Sequence, residues 1–194
     1  FLGIKMNSDK TPDYKGIELK SHREKRSSNK NVLFTQIPDW NISALKSGRE
    51  IVAKYGYYTV DGKLTYQNTI QCSPPNSQHI FLYVNHIKEL LEMQAAWPKT
   101  EDIAAWKLME LHKRLLIIHH ETFWVEVENV VSDGKEYFRY KNVEHTKNPN
   151  VGQFDVLLEQ NLITVDLLLC RPSGNGDTYS FKIKKKGMPL LFPE

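Results

Sequence analysis

Pro12-Asp13-Tyr14-Lys15-Gly16-Ile17-Glu18-Leu19-Lys20 sets a short turn beside an alternation of apolar and charged residues. Pro12-Asp13-Tyr14 opens a hairpin, Lys15-Gly16 turns it, and Ile17 to Lys20 returns as a strand. Strand side chains alternate between faces, so Glu18 and Lys20, two apart, share one. Ile17 and Leu19 are expected on the other face, in the core, with Asp13 converging on the polar one from across the turn. Two neighbouring carboxylates repel, and a divalent cation relieves that repulsion. Oxygen ligands with room for waters suit Mg²⁺, held by Asp13 and Glu18. Such an ion polarises a phosphodiester and acidifies a bound water. Lys20 can orient that water and stabilise the developing charge. Asp13, Glu18 and Lys20 are therefore candidate catalytic residues for phosphodiester hydrolysis.

The same nine residues could also be a surface hairpin with an ordinary cross-strand ion pair. Three features weigh against that: proline directly before Asp13, apolar residues alternating with the polar ones, and a basic run directly after. Lys20, Arg23, Lys25, Arg26 and Lys30 stand there against one acid, Glu24. A second basic run holds Lys182, Lys184, Lys185 and Lys186, while the whole chain carries only +3. Basic patches on a near-neutral background fit a phosphate-contacting surface. His22, Arg23, Lys25, Arg26 and Lys30 are candidate phosphate contacts beside the hairpin. His145, Lys147, Arg171, Asn175, Asp177 and Lys182, on or beside loops of the C-terminal half, are candidate DNA-binding groups. Arg and Lys read guanine and Asp accepts from cytosine.

Outward from the hairpin, the remaining 194-residue chain reads as α+β. Ser21 to Asn31 is expected to be a loop and Val32 to Ile37 a strand. Ser43 is expected to cap a helix ending at Tyr55, stopped by Gly56. Asp61-Gly62 marks a hairpin tip. Ile80 to Val84 is expected as a buried strand, while Ile87 to Ala96 fits helix or strand. The 4-3-4 recurrence of Ala104, Leu108, Leu111 and Leu115 predicts a helix starting at Thr100 or Glu101. Strands are expected at Leu116 to Ile118, Thr122 to Val131 and Tyr137 to Val143, a helix at Val151 to Gln160, and a last strand at Tyr179 to Lys184. His119-His120 falls at a strand end with one ring facing in. Trp97, Trp106 and Trp124 are expected in the core. No apolar run spans a membrane, no signal peptide is evident, and Cys72 and Cys170 read as separate thiols of a reducing compartment.

Pro12-Asp13 followed by Glu18-Leu19-Lys20 resembles the PD-(D/E)xK nuclease signature. The longer run Leu2-Gly3-Ile4 through Pro12 to Ser21 is similar to the MutH-like branch, and in particular to the MvaI/BcnI restriction endonucleases. Tyr137-Phe138-Arg139-Tyr140, Leu157 to Asp166, and Phe181-Lys182-Ile183-Lys184 resemble that family too. The resemblance implies a PD-(D/E)xK core, a mixed β-sheet flanked by helices, plus a smaller β-rich recognition lobe. Residues 1–112 would be catalytic and 113–194 would read DNA. It implies a cytoplasmic bacterial type II restriction endonuclease, monomeric, acting on double-stranded DNA at short G/C-rich sites of the CC-N-GG kind. The cofactor would be Mg²⁺, with Mn²⁺ able to substitute. Members usually carry a further acid on a helix before the Leu-Gly-Ile element, and this sequence begins at Phe1. A fragment, a proteolysed domain, or the catalytic part of a longer chain with an N-terminal DNA-binding domain all fit. Two other functions fit the same residues: a MutH-like mismatch-repair nicking enzyme and a non-catalytic DNA-binding module.

Overall fold

The computed structural model describes residues 11–23, 29–171 and 176–193, and of Arg171 the backbone only. Lys25, Arg26 and Asn175 lie outside them. The fold is mixed α+β, built as three sheets with few helices.

The first sheet has the order β1-β8-β9. β1 (Glu18–Arg23) runs parallel to β8 (Glu121–Ser132), which pairs antiparallel with β9 (Lys135–Lys147). The expected loop at Ser21 to Asn31 is thus shorter, because Ser21, His22 and Arg23 pair with Val125, Glu126 and Val127. The second sheet is antiparallel, with β2 (Lys30–Thr35), β11 (Thr178–Lys184), β10 (Ile163–Arg171), β4 (Leu64–Ile70) and β3 (Tyr57–Tyr58) in that order. Ile163, Val165, Leu167 and Leu169 alternate along β10 and are all buried, so one face of this sheet is core. The third is a meander of β5 (Ile80–Asn85), β6 (Leu90–Ala95) and β7 (Glu101–Lys107). The first two sheets draw strands from either side of residue 112.

Helix α1 (Gly48–Tyr55) packs on β4 and β10, α2 (Leu108–Ile118) on β2 and β7, and α3 (Val151–Glu159) on β10 and α2. A short α4 (Met188–Leu191) closes the chain. Gly56 stops α1 as expected, but its cap is Ser47, whose hydroxyl accepts from Glu50 N at 3.3 Å. Ser43 is buried instead, donating to Asp39 O and accepting from Ala105 N at 3.0 Å.

The helix expected from Thr100 is a strand up to Lys107 and a helix only from Leu108. Ile103 to Trp106 are consecutively buried, as in a strand covered on both sides. Ala104 pairs with Met93, so the 4-3-4 spacing straddles a strand–helix junction. Leu116 to Ile118 is the end of that helix, not a strand. Ile87 to Ala96 becomes strand from Leu90 onward. Trp106 and Trp124 are core, whereas Trp97 is 70% exposed at the β6–β7 turn, against the His79 ring. No described helix is long and apolar enough to cross a membrane.

Candidate active site

The hairpin forms as the sequence predicts. Tyr14 and Ile17 exchange backbone hydrogen bonds of 3.0 and 2.9 Å across Lys15 and Gly16, both with positive φ (51° and 86°). That is the two-residue turn whose twist suits a hairpin, and glycine takes its second position without a Cβ penalty. Asp13 Oδ2 accepts from Leu19 N at 3.0 Å, which holds its carboxylate against the start of β1. The ammonium of Lys20 lies 2.5 Å from Glu18 Oε1. Glu18 and Lys20 are therefore paired on β1, and Asp13, before the turn, is tied to the same strand through Leu19 N.

The faces are the reverse of the expectation in one respect. Glu18 is almost fully buried, while Ile17 and Leu19 are half-buried and stand outside the core cluster. The reason is the partner strand. Glu18 and Lys20 pair with Thr122 and Trp124, both buried, so the polar side chains of β1 face inward.

Helix α2 closes this inner side. Arg114, half-buried, feels the charge of Glu18; burial holds its pKa below the usual guanidinium value and Glu18 acts the other way. His119, just after α2, is fully buried and stacked on Trp124 with ring centroids 5.4 Å apart. Its Nε2 lies 2.8 Å from Leu33 O and its Nδ1 2.9 Å from Thr122 Oγ1. A carbonyl only accepts, so Nε2 carries the hydrogen and Nδ1 accepts from Thr122. Burial pushes the His119 pKa down to about 3 against the opposing Leu33 hydrogen bond, and the charges of Lys20 and Arg114 push the same way. His119 is a neutral structural ring, and His120 points out.

Beyond Lys20 the same face opens into a hollow of about 310 Å³ lined by His22, Trp124, Glu126 and Lys185 among others. His22 Nε2 lies 3.8 Å from Glu126. Arg23, on the opposite face, pairs with Glu136 at 3.1 Å and lies over the Phe138 ring. Lys30 and Lys182 meet away from the hairpin, on the polar face of the second sheet. They flank Asp166 at 3.4 and 2.8 Å, and Thr69 donates to the same carboxylate at 2.7 Å. Burial alone would raise the Asp166 pKa; the hydrogen bonds from Lys182 and Thr69 and the two lysine charges hold it below the ordinary value. Asp166 and Thr69 escaped the sequence reading because strands distant in sequence bring them together.

The other candidates are scattered. His145 pairs with Glu121 at 2.9 Å against the Phe123 ring, and Lys147 is exposed at the end of β9. Asp177 places its carboxylate against Gly48 at the start of α1, so close that a β-carbon at position 48 would collide with it.

Among the described residues no three His, Cys, Asp or Glu side chains gather as a metal cage. Mg²⁺ does not require one, since it commonly binds through one or two carboxylates and completes its shell with waters and phosphate. Among the described residues Asp13 and Glu18 each use one carboxylate oxygen in the contacts above, so the second oxygen of each is the one that could meet an ion.

No curated protein matches the chain. In fold it is similar to restriction endonuclease MvaI solved in complex with cognate DNA substrate, with a TM-score of 0.81 at 16% identity, over 97% of this chain and 81% of that one. It is also similar to MvaI solved in the absence of DNA, with a TM-score of 0.61 at 17% identity, over 93% of this chain and 78% of that one. The sequence profile of the MvaI/BcnI restriction endonucleases matches residues 1–192, so the chain belongs to the MvaI/BcnI restriction endonuclease family.

Proposed function

We propose that the chain hydrolyses phosphodiester bonds of duplex DNA at a short G/C-rich site, of the CC-N-GG kind, as a Mg²⁺-dependent type II restriction endonuclease with a PD-(D/E)xK site. The observation that carries this is the Lys20 ammonium 2.5 Å from the buried Glu18 carboxylate, with Asp13 fastened to the same strand through Leu19 N. A divalent ion held by Asp13 and Glu18 would polarise the phosphodiester and lower the pKa of a bound water.

The chain's own residues do the rest. Asp13 and Glu18 are fixed by hydrogen bonding and burial, so their oxygens need little reorganisation when substrate arrives. Lys20 has three N–H donors. One serves Glu18, and the others remain for the attacking water or a non-bridging phosphate oxygen. The low-dielectric surroundings of Glu18 strengthen the effect of the Lys20 charge on the transition state. His22, two residues further on the same face, stands where a neighbouring phosphate would pass.

Digestion of a sequenced supercoiled plasmid with Mg²⁺, followed by mapping of the ends, tests the reading. Discrete linear fragments with ends at a common G/C-rich site are expected. Stable open circles alone would mean a nicking enzyme. DNA binding without any cleavage would mean a non-catalytic module.

A further inference from the structure

The β8–β9 hairpin runs on past the described end of β1. Among the described residues β1 pairs with β8 as far as Arg23 opposite Val127. Beyond that point Glu128 to Ser132 pair with Lys135 to Arg139 alone among the described residues, around Asp133 and Gly134, both with positive φ (52° and 72°). β9 is exposed at nearly every position, including Tyr137 (52%). Among the described residues this stretch is a two-stranded ribbon with β9 open to solvent, of the kind that fits against a duplex.

The register says which way its side chains face. Glu18, Lys20 and His22 pair with Thr122, Trp124 and Glu126. Continuing by twos along β8 gives Glu128, Val130 and Ser132, whose partners are Arg139, Tyr137 and Lys135. Lys141, extra in the strand where the register shifts, also reaches this side, with its ammonium 3.8 Å from Glu128. The face that carries the candidate active site therefore continues outward as Lys141, Arg139, Tyr137 and Lys135, with Glu128 the one acid among them. Arg139 lies 3.5 Å from Glu128 and its side chain is 68% exposed. The opposite face carries Phe138, Tyr140 and the Arg23–Glu136 pair.

We infer that this ribbon is a phosphate-gripping arm, which holds the duplex outside the recognition site. The inference rests on the nuclease reading above. Duplex DNA is the occupant that fits, because the basic side chains continue the catalytic face and the ribbon is tied to the catalytic strand through Arg23. Arg139 is four residues along the ladder from the level of Lys20 and Lys135 is eight. At about 3.3 Å per residue the arm reaches ~13 to ~26 Å along the ladder from Lys20. That corresponds to about four to eight base pairs at ~3.4 Å each, beyond the reach of a short central site.

The test compares the full chain with the Lys135→Ala/Arg139→Ala double variant. Binding is measured in Ca²⁺ on two duplexes carrying the mapped site, one ending at the site and one extending about ten base pairs on each side. On the long duplex the variant should lose on the order of tenfold or more in affinity, and its salt slope should fall by about two. On the short duplex it should match the unaltered chain. A Lys135→Arg/Arg139→Lys variant, which keeps both charges, should restore long-duplex binding. Equal affinity of the alanine variant for the long duplex would overturn the arm, as would an equal loss on both duplexes or a change in oligomeric state alone. If the unaltered chain bound no DNA, the nuclease reading would fall with it. Normal cleavage by the unaltered chain with an indifferent variant would overturn the arm only.

Discussion

Lys20 Nζ sits 2.5 Å from Glu18 Oε1, on the same face of the same strand, with Glu18 almost wholly out of water. Removing either partner leaves the other in a changed field, so substitutions here separate chemistry from folding only if chosen with care. Lys20→Ala is expected to cut the cleavage rate by a factor of about a thousand or more, with duplex affinity in Ca²⁺ kept within a few-fold. Asp13→Asn should be as inactive, yet keep the acceptor for Leu19 N and so the thermal midpoint. Asp13→Ala should add a loss of about 1 kcal/mol, because that backbone donor loses its partner. Cleavage rates, gel shifts and melting curves on the three variants check this. Retained cleavage in Asp13→Asn would remove Asp13 from the site.

The hairpin and its three polar residues were legible in the sequence because they are local: a two-residue turn, a period of two, and proline before Asp13. The orientation of the strand was not. Ile17 and Leu19 are apolar and Glu18 is charged, so composition points the wrong pair inward. A parallel partner one hundred residues away, with Thr122 and Trp124 on the buried side, decides otherwise. The same limit hid β10, whose Ile163 to Leu169 alternation has a core face only because α1 and α3 cover it. It also merged β7 with α2, since residues 104 and 108 bear apolar side chains in both geometries.

The buried ring of His119 should make stability fall with acid. Its folded pKa is about 3, against 6.5 unperturbed. Above pH ~6.5 both states are neutral there and the group contributes no pH dependence. Below it the unfolded chain takes up a proton that the folded chain refuses, so stability drops by about 1.4 kcal/mol per pH unit down towards pH 3. Carboxylates add their own acid loss below about pH 5, which leaves the window between pH ~5 and ~6.5 for His119. His119→Gln, which cannot titrate, should start less stable at pH 7.5 and show a flatter profile in that window. Urea unfolding across the series measures both slopes; parallel slopes would contradict the assignment.

At the start of α1, Gly48 and the Asp177 carboxylate occupy adjoining space, with the Tyr179 hydroxyl close by. An acid beside a helix N-terminus is favourable by about 0.3–1 kcal/mol. Gly48→Ala would drive that carboxylate away and Asp177→Ala would delete it. Each single change is expected to destabilise by about 1 kcal/mol, and the double variant by clearly less than the sum, because both break one contact. Discrimination between the cognate site and scrambled duplex should be unchanged in Asp177→Ala. A selective loss of cognate binding with an unaltered midpoint would instead return Asp177 to a base-reading role.

Asp166 neutralises part of the charge that Lys30 and Lys182 would otherwise offer to DNA, as it lies within 3.4 Å of one and 2.8 Å of the other. This permits a test in which an acid is removed and binding is predicted to improve. In Asp166→Asn the amide oxygen still accepts from Thr69, its NH2 replaces the oxygen that accepts from Lys182, and both ammonium groups lose this counter-charge. If the polar face of the second sheet borders the duplex, Asp166→Asn should bind random DNA several-fold more tightly, with a steeper salt dependence. Lys30→Ala and Lys182→Ala should each weaken binding to all duplexes alike and flatten that dependence by about one unit. If instead the cluster only braces β2, β11, β10 and β4 against one another, all three variants should lower the melting temperature and leave the salt slope where it was. Affinity measured over a salt series, beside melting curves on the same preparations, separates the two roles.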